Sequence, residues 1–508
     1  MLSVLLWAPV AFGLVGFVLP RRIVGWWALA GTVVALALAI GLVADFDPAA
    51  SGLQHVVDES WIPDLGVSYQ LGVDGISVFL VLLTTVLWTA ATAFSALRGI
   101  ERAPVYFFML MLGESAALGS FLAQDLLLFV LFFDLMLVPF YFLIGAFGGE
   151  NRIPATTKMI VYTLVGSLLM LVAAIATAIL ASGDIGHLTF SMAELRAHPL
   201  SAGSQYWIFW FFAAAFLVKM PAFPIHGWLA DAYRAGPLPV IALLSGVLSK
   251  VGAYGFLRVV LPTYPSATIH FQEVVLVIGL ASILYGSVMA FTQTNVRLIA
   301  GYSSIAQLGF ITVGIFSLTS QGANGAVLQM VNHGLVVAPI FLIVGLLWER
   351  SGSEELGRLG GLTFRAPVLA TLFLIVTLAT LAMPGSANFV GEFYILLGLF
   401  QSKIVYAFVA AIGIALAAYY AIRLFQRTMH GRTVATAESR EISLRDGLVL
   451  APLVACIVGL ALYPGLVLSR SDASVQSNVT ASTACHTHVY ASRTVPKPAV
   501  ARVAEDCP

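Results

Sequence analysis

Five ionisable residues lie in stretches of the chain that are otherwise apolar: Asp134, Lys219, Lys250, His333 and Glu392. A charged side chain at bilayer depth costs from about 3 to more than about 10 kcal/mol, so such residues usually mark an ion path or a paired site. A desolvated lysine can release a proton, a carboxylate can hold one, and a histidine can pass one on. These residue types therefore predict proton transfer inside a membrane.

Asp134 and Lys219 are candidates for a switching ion pair. Asp134 lies within the run FFDLMLVPFYFLIG, and Lys219 comes just before Pro221 and Pro224. Pairing stabilises the charged form of both groups and separation favours their neutral forms, so a pair that opens and closes could time a proton transfer. The alternative is a lone, neutral aspartate that hydrogen-bonds a neighbouring helix.

Lys250, His333 and Glu392 are candidates for loading, relaying and releasing a proton. Lys250 lies too deep in its apolar run to reach a membrane surface easily, although a structural counter-ion is an alternative. His333 lies mid-span and either relays protons or merely hydrogen-bonds a carbonyl. Glu392 follows Pro384 by eight residues, where freed carbonyls and water would let it exchange protons with the outside. Glu114 is also intramembrane, but no partner can be assigned to it.

The composition is that of a polytopic membrane protein. Of 508 residues, 60% are hydrophobic and 10% are charged, against about 25% charged in soluble domains. Mean hydropathy is +0.95. Apolar runs follow one another at the length of a spanning helix, so we expect an all-α fold with about fourteen transmembrane helices. The predicted spans are 2–20, 23–44, 76–96, 104–123, 126–147, 157–181, 206–225, 237–261, 272–292, 298–318, 323–348, 366–400, 404–425 and 447–468.

The seventh and twelfth spans are predicted to be broken helices within inverted repeats. They carry Met220-Pro221 and Met383-Pro384, and proline interrupts a helix. In the orientation inferred below they run in opposite directions, as matching broken helices of inverted repeats do, although Met-Pro could also recur by chance. The predicted units are 1–103 with helices 1–3, 104–261 with the first five-helix repeat (helices 4–8), 262–425 with the second, inverted repeat (helices 9–13), 426–468 with helix 14, and 469–508 as a polar tail.

The distribution of basic residues predicts the orientation. Sixteen Lys and Arg lie in or beside one set of alternate loops, and only Arg196, Arg258 and Lys403 lie beside the opposite set, where we interpret them as topology signals. Because basic loops face the cytoplasm, both termini are predicted to lie outside it. The loop 45–75 is acidic, which agrees with an external position. The polar tail is expected to be mobile.

The sequence also argues against several classes of function. A net charge of zero gives no sign of nucleic-acid binding. The three cysteines, Cys456, Cys485 and Cys507, fit no metal-ligand spacing, and whether the last two form a disulfide is left open. There is no glycine-rich phosphate loop, CxxC or haem motif, so we expect no cofactor or metal in this chain.

Six motifs resemble the antiporter-like subunits of respiratory complex I, the NADH-quinone oxidoreductase. That family shares ancestry with multisubunit sodium/proton antiporters and some membrane-bound hydrogenases. The resemblance covers roughly residues 60–465 and is greatest to the subunit M type, the counterpart of mitochondrial chain 4. The motifs are YQLGVDGIS at 69–77, DLLLFVLFFDLMLVPFYFLIG at 125–145, KMPAFPIHGWLADA at 219–232, LSKVGAYGFLR at 248–258, LIAGYSSIAQLGF at 298–310 and MPGSANFVGEF at 383–393.

The resemblance implies roles for individual residues. It places Asp134 at the family's fifth-span glutamate and Lys219 as its partner in the seventh span. Lys250 takes the place of the central lysine of the eighth span. Glu392 takes the place of the twelfth-span glutamate, which distinguishes subunit M from relatives that carry a lysine there.

Three positions depart from the family pattern. Asp134 is one methylene shorter than the usual glutamate, which implies a longer contact with Lys219 or a shifted helix. Gln307 replaces a common histidine, which removes a titratable relay and leaves a hydrogen-bonding link. Tyr233 replaces a frequent histidine and puts a proton-uptake role at the cytoplasmic turn in doubt.

The resemblance implies a proton-translocating membrane-arm subunit of an NADH-quinone oxidoreductase in the bacterial inner (plasma) membrane, which couples quinone reduction elsewhere in the complex to proton export. NAD, FMN, iron–sulfur clusters and quinone are expected in partner subunits. The expected partners are other membrane-arm subunits, including the neighbouring antiporter-like ones, and phospholipids. The alternatives are a subunit of a sodium/proton antiporter or membrane-bound hydrogenase, and a structural subunit whose buried charges only fix helix packing.

Overall fold

The computed structural model describes residues 1–50, 52–431 and 440–494, with the backbone alone for 483–494. Helices lie at every predicted span, and within these ranges eleven helical segments are long and apolar enough to cross a membrane. The all-α prediction is confirmed apart from a hairpin, whereas the number of crossings and the inverted repeats stay predictions. The side chain of Cys485 and the whole of Cys507 lie outside the described residues.

The first half of the chain forms helices and a β-hairpin. The helices are α1 Leu2–Val15, α2 Arg21–Ala44, α3 Ser77–Ala96, α4 Ala103–Leu122, α5 Leu126–Leu135, α6 Leu137–Phe147, α7 Arg152–Ile185, α8 Met192–Ala197, α9 Ala202–Lys219, α10 Leu229–Ala235, α11 Leu238–Leu243, α12 Ser249–Gly255 and α13 Leu261–Thr263. The strands β1 (Gln54–Ile62) and β2 (Val67–Val73) pair antiparallel, with Val57 opposite Leu71. The hairpin lies in the acidic segment that was expected to be a loop.

The second half of the chain is helical. Its helices are α14 Pro265–Thr292, α15 Val296–Phe316, α16 Ser320–Ser351, α17 Pro367–Thr380, α18 Ala387–Ser402, α19 Ile404–Met429, α20 Leu444–Leu462 and α21 Gly465–Thr494. Helix α16 touches α15, α18 and α11, and thus joins the lysine-bearing eighth span to the second half.

The seventh and twelfth spans are broken where the prolines predict. Residues 220–228 separate α9 from α10, and Pro221 and Pro224 there lack the backbone N–H that a continuing helix needs. Residues 381–386 separate α17 from α18 around Pro384. Non-helical backbone at this depth is tolerated where it is buried in protein or lines a polar cavity.

The fifth and eighth spans also depart from a regular α-helix. π-helical turns at Leu244–Leu248 and Phe256–Val260 flank α12, and Met136 separates α5 from α6. Such turns re-aim backbone carbonyls and are frequent at functional sites. The irregular backbone therefore lies next to Lys250 and Asp134.

Three spans form the centre of the bundle. The apolar stretches of the span 238–263, of α15 and of α16 are 100% buried within the protein. In α2, α19 and α20 only 28–33% of the corresponding residues are buried. The outer helices therefore present their apolar faces to lipid, and the central ones pack only against protein. Because the central helices carry Lys250, Gln307 and His333, these polar groups are shielded from lipid.

The described part of the segment that was predicted to be a polar tail belongs to a helix, α21, which ends at Thr494. Ser474 Oγ accepts a hydrogen bond from the backbone N–H of Gly75 at 3.0 Å, and Ser471 Oγ donates to Asn324 Oδ1 at 2.8 Å. Gly75 permits this approach, because a Cβ there would lie 1.9 Å from the carbonyl oxygen of Arg470. The small polar side chains thus hold α21 against the beginnings of α3 and α16, which belong to the two halves of the protein.

Candidate functional site

Lys219 and Lys250 are buried on helices that touch. Lys219 ends α9 and is 5% exposed, and Lys250 lies in α12 and is fully buried. Gly252 permits the close approach, because a Cβ there would lie 2.6 Å from the carbonyl oxygen of Phe216 in the last turn of α9. Small residues let helix backbones approach closely in this way. The structure therefore packs the two lysine-bearing helices directly against each other.

The predicted ion pair between Asp134 and Lys219 is not formed in this structure. The Lys219 ammonium donates to the carbonyl oxygen of Phe133 at 3.4 Å and lies 4.5 Å from the centre of the Phe133 ring. A carbonyl and an aromatic face thus replace the carboxylate as partners. Asp134 follows Phe133 directly, and its buried Oδ1 has no hydrogen-bond partner among the described residues. The short aspartate side chain fits this separation.

Lys250 contacts His333 directly. Its Nζ lies 2.7 Å from Nδ1 of His333, 2.6 Å from the carbonyl oxygen of Ser245 and 3.3 Å from Ser249 Oγ. A charged lysine has three donors, and these three contacts occupy them. With Lys250 as donor, Nδ1 of His333 accepts and the imidazole proton lies on Nε2. That Nε2 is buried, without a hydrogen-bond partner in the part of the chain that the structure describes.

A second hydrogen-bonded group connects Gln329, Gln307 and Glu392. Gln329 Nε2 donates to Gln307 Oε1 at 2.7 Å, and Gln307 Nε2 donates to Glu392 Oε1 at 2.8 Å. All three side chains are at most 1% exposed. Gly391 makes room, because a Cβ there would lie 2.3 Å from Gln329 Oε1. The expectation that Gln307 leaves a hydrogen-bonding link is confirmed, and the link to the carboxylate is direct.

One helical turn of α16 separates the two groups. His333 follows Gln329 by four residues, a rise of about 6 Å, so both side chains lie on one helix face. A neutral His333 with its proton on Nε2 can donate, and Gln329 Oε1, also buried and unpartnered within the described ranges, can accept. We refer to Lys250, His333, Gln329, Gln307 and Glu392 as the central row.

Sequence reasoning missed Gln329, Ser245 and Ser249. The signal for Gln329 was its position four residues before His333, because residues at this spacing share a helix face. Ser249 precedes Lys250 directly and donates to the carbonyl of Ser245 at 2.8 Å. The π-helical turn that brings this carbonyl to the lysine has no sequence signal that we recognise.

Glu114 lies apart from the central row. It is fully buried in α4, and neither of its carboxylate oxygens has a hydrogen-bond partner among the described residues. The structure gives no physical account of this carboxyl.

Arg258, predicted to be only a topology signal, forms a buried ion pair. Its Nη1 donates to Asp74 Oδ2 at 2.9 Å, and its Nη2 donates to Gln124 Oε1. The side chains of Arg258 and Asp74 are only 8% and 3% exposed. Arg196 donates to the carbonyl oxygen of Arg258, and burial, together with the charge of Arg258, lowers the pKa of Arg196 to about 9. These contacts join the start of α3 to the end of the eighth span.

Known proteins resemble this chain in both sequence and structure. The NADH:quinone oxidoreductase/Mrp antiporter transmembrane family matches residues 123–417. NADH-quinone oxidoreductase subunit M of Rhodobacter capsulatus is 38% identical over 491 residues, which cover 94% of this chain and 95% of the relative. A chain of respiratory complex I from Thermus thermophilus superposes with a TM-score of 0.85 at 30% identity, over 94% of this chain and 99% of that one. A chain of the Mrp complex from a Dietzia species shares the fold, with a TM-score of 0.81 at 22% identity over 95% of this chain and 99% of that one.

We expect Arg258→Met to destabilise the protein by about 3–5 kcal/mol, because it leaves the Asp74 carboxylate buried without its cation. The protein is heated in detergent, and the measured quantity is the temperature at which half of its monodisperse peak is lost. Lys403→Met is the matched control, because it removes only an exposed ion pair with Glu273, and exposed ion pairs contribute little to stability. An unchanged midpoint for Arg258→Met would contradict the ion pair's structural role.

Proposed function

Because this chain belongs to the NADH:quinone oxidoreductase/Mrp antiporter transmembrane family, we propose that it carries protons along the central row. It is a proton-translocating membrane-arm subunit of an NADH-quinone oxidoreductase, and it works beside other membrane-arm subunits. The observation that carries the proposed route is the 2.7 Å contact between Lys250 and His333, which lies one helical turn from the hydrogen bonds that link Gln329 through Gln307 to Glu392.

Lys250 is the loading site in this proposal. A proton that reaches its amine from the cytoplasmic half forms the ammonium ion, which three acceptors hold in place. The ammonium passes its proton to Nδ1 of His333, and the imidazole then releases the proton on Nε2. Both nitrogens of the ring take part, so the histidine returns to its starting form only after a tautomer change or a ring rotation.

The two glutamines guide the proton but do not carry it. Their amides donate and accept hydrogen bonds yet do not ionise at physiological pH. Water within reach of His333 Nε2 and Gln329 Oε1 would take up the released proton, and both atoms are buried polar groups with unused hydrogen-bonding capacity in the described chain. Gln307 holds one oxygen of Glu392, so the other oxygen, Oε2, receives the proton and releases it outward.

Asp134 and Lys219 form the switch in this proposal. With Lys219 held by Phe133, as in this structure, its positive charge lies at the end of the helix that packs against the Lys250 helix and opposes protonation of Lys250. Movement of the ammonium toward Asp134 compensates that charge and favours loading of Lys250. A tenfold change in the proton affinity of Lys250 requires a difference of about 1.4 kcal/mol. The helix interruptions after Lys219 and near Asp134 give these side chains the freedom for such a movement.

The redox chemistry is proposed to take place in partner subunits. Within the described ranges, no group of three or more His, Cys, Asp and Glu residues is arranged to hold a metal ion. The sequence also carries no nucleotide-binding or iron–sulfur motif. We therefore propose that NAD, FMN, iron–sulfur clusters and quinone bind to other subunits, and that this chain only uses the energy they release.

The sodium/proton antiporter alternative is less well supported. The Mrp neighbour shares only the fold, at 22% identity, whereas the subunit M relative is 38% identical over nearly the whole chain. The carboxylate at Glu392, where the antiporter relatives are expected to carry a lysine, favours the same conclusion.

Lys219→Ala and Glu392→Gln should leave the complex assembled and slow NADH-driven proton uptake by reconstituted vesicles at least about tenfold, a barrier of about 1.4 kcal/mol. The dye-monitored pH gradient is measured with NADH-quinone reductase activity and native-gel assembly. Lys403→Ala and Glu273→Gln are the matched controls, because they remove a lysine and a glutamate that pair near the end of a span. Normal pumping in an assembled Lys219→Ala complex would refute the switch, and loss of assembly in Lys250→Ala would favour the structural alternative.

Gln307→Leu should slow pumping and Gln307→His should preserve it. Leucine removes both hydrogen bonds that place Glu392 against Gln329, whereas histidine can hydrogen-bond the carboxylate and also relay a proton. The same vesicle assay compares the two variants at equal assembly. Equal rates for leucine and glutamine would show that the hydrogen-bonded link is not part of the route.

Both termini are proposed to lie outside the cytoplasm. In a chain whose three cysteines are replaced by serine, a membrane-impermeant maleimide added to intact cells should label Glu59→Cys in β1 and not Arg358→Cys in the loop between α16 and α17. Inverted vesicles should give the opposite pattern. Labelling of Arg358→Cys in intact cells would reverse the proposed direction of transport through the central row.

A further inference from the structure

An apolar groove runs between α2, α3 and α20 on the outside of the bundle. It consists of a cavity of about 550 Å³ and an adjoining one of about 200 Å³, which share Leu82, Val86 and Cys456 as lining residues. The linings are almost entirely apolar, from Trp26 in α2 to Pro452 in α20. Because α2 and α20 face lipid over most of their surface, the groove opens to the hydrocarbon region.

The length of the larger of the two cavities matches one leaflet. Helix α20 lines it from Arg445 to Cys456, eleven residues further on, which is a rise of about 16 Å. The hydrocarbon core of a bilayer is about 30 Å thick, so one leaflet spans about 15 Å. An acyl chain that enters beside Arg445 would therefore lie in the groove along most of its length.

A polar cavity lies at the head of the groove. It has a volume of about 510 Å³, shares Leu97 and Arg445 with the groove, and is also lined by Arg98, Glu349 and Asp446. Two arginines and two carboxylates give it a net charge of zero. Arg98 bridges the two carboxylates: its Nε lies 2.5 Å from Glu349 Oε1, and its Nη2 lies 3.1 Å from Asp446 Oδ1.

Arg445 is the unused cation of this cavity. It is exposed, and no ion pair or hydrogen bond of its side chain occurs in the described part of the chain. Arg98 donates to both oxygens of Glu349 and to Asp446 Oδ1, and Ser443 Oγ donates to Asp446 Oδ2. Each of these oxygens retains a second lone pair, so Glu349 and Asp446 can accept further donors. The cavity thus offers one free cation and two carboxylates with spare acceptor capacity.

We propose that the groove and its polar cavity bind one phospholipid with an ethanolamine headgroup. The phosphate lies against Arg445, the primary ammonium donates to Glu349 and Asp446, and one acyl chain fills the groove. A glycerol headgroup keeps a net negative charge next to two carboxylates, and a choline headgroup has no N–H to donate, so both fit the balanced cavity less well. The site is separate from the central row, and its occupation does not depend on the proton route.

The test uses the whole complex in membranes and phospholipids that carry a photoreactive diazirine in the acyl chain. Probes with ethanolamine, glycerol and choline headgroups are compared, and the cross-linked peptides are mapped by mass spectrometry. The ethanolamine probe is expected to label α3 and α20 most strongly. Arg445→Gln should reduce this labelling up to about fivefold, the size typical of one partly exposed ion pair, and Ala93→Phe, which fills the groove, should reduce it as well.

The matched controls are Arg427→Gln, an exposed arginine near the end of α19, and Ala415→Phe, an exposed alanine on the same helix, and both should leave the labelling unchanged. Equal or stronger labelling by the glycerol probe would overturn the choice of headgroup. If neither Arg445→Gln nor Ala93→Phe reduced the labelling of α3 and α20, the site itself would be overturned. Cross-links from a benzophenone on Cys456 to a partner subunit in place of lipid would show that a protein helix covers the groove and would also overturn it.

Discussion

The structure depends on the cost of placing an ammonium group in hydrocarbon. Lys250 can be charged only because a carbonyl, a hydroxyl and an imidazole are already in position around it. These acceptors come from a π-helical turn and from a neighbouring helix, so the site requires both irregular backbone and close helix packing. The surrounding helices also keep lipid away from the ammonium group, because hydrocarbon offers it no hydrogen-bond acceptors.

Three of the intramembrane ionisable groups lie next to helix interruptions. Lys219 ends a helix, Asp134 comes two residues before a break, and Glu392 lies in the second turn of α18, after a break. A side chain at a helix end can move when only a few backbone dihedrals change, whereas a mid-helix side chain moves with its helix. By this argument the groups beside the interruptions have more freedom to move than Lys250, which lies inside α12.

Much of the fold could be predicted from the sequence because hydropathy and proline act locally. The breaks of the seventh and twelfth spans follow from Pro221 and Pro384, and the buried carboxylate at Glu392 follows from its apolar surroundings. Long-range contacts could not be predicted in this way. The absent Asp134 and Lys219 pair and the bridge of Gln307 to Glu392 depend on how separate helices meet.

Local composition was also misleading in two places. The polar segment 469–508 suggested a free tail, because its small side chains offer no apolar face. Its serines instead hydrogen-bond the buried backbone N–H of Gly75 and the side chain of Asn324, which lie far away in the sequence. Arg258 carries no sign in the sequence that Asp74 and Gln124 will enclose it.

The depth of the central row has a consequence for how the membrane voltage acts on the protein. Lys250 lies twelve residues after Leu238 and thirteen before Thr263, and Gln307 lies eleven residues after Val296 and nine before Phe316, so both are near the middle of their spans. A charge that crosses the whole membrane works against about 2.3 kcal/mol per 100 mV. In the proposed route, a proton that moves sideways between these mid-depth groups crosses little of that field, and the work against the voltage would fall on the steps that lead to the row and away from it.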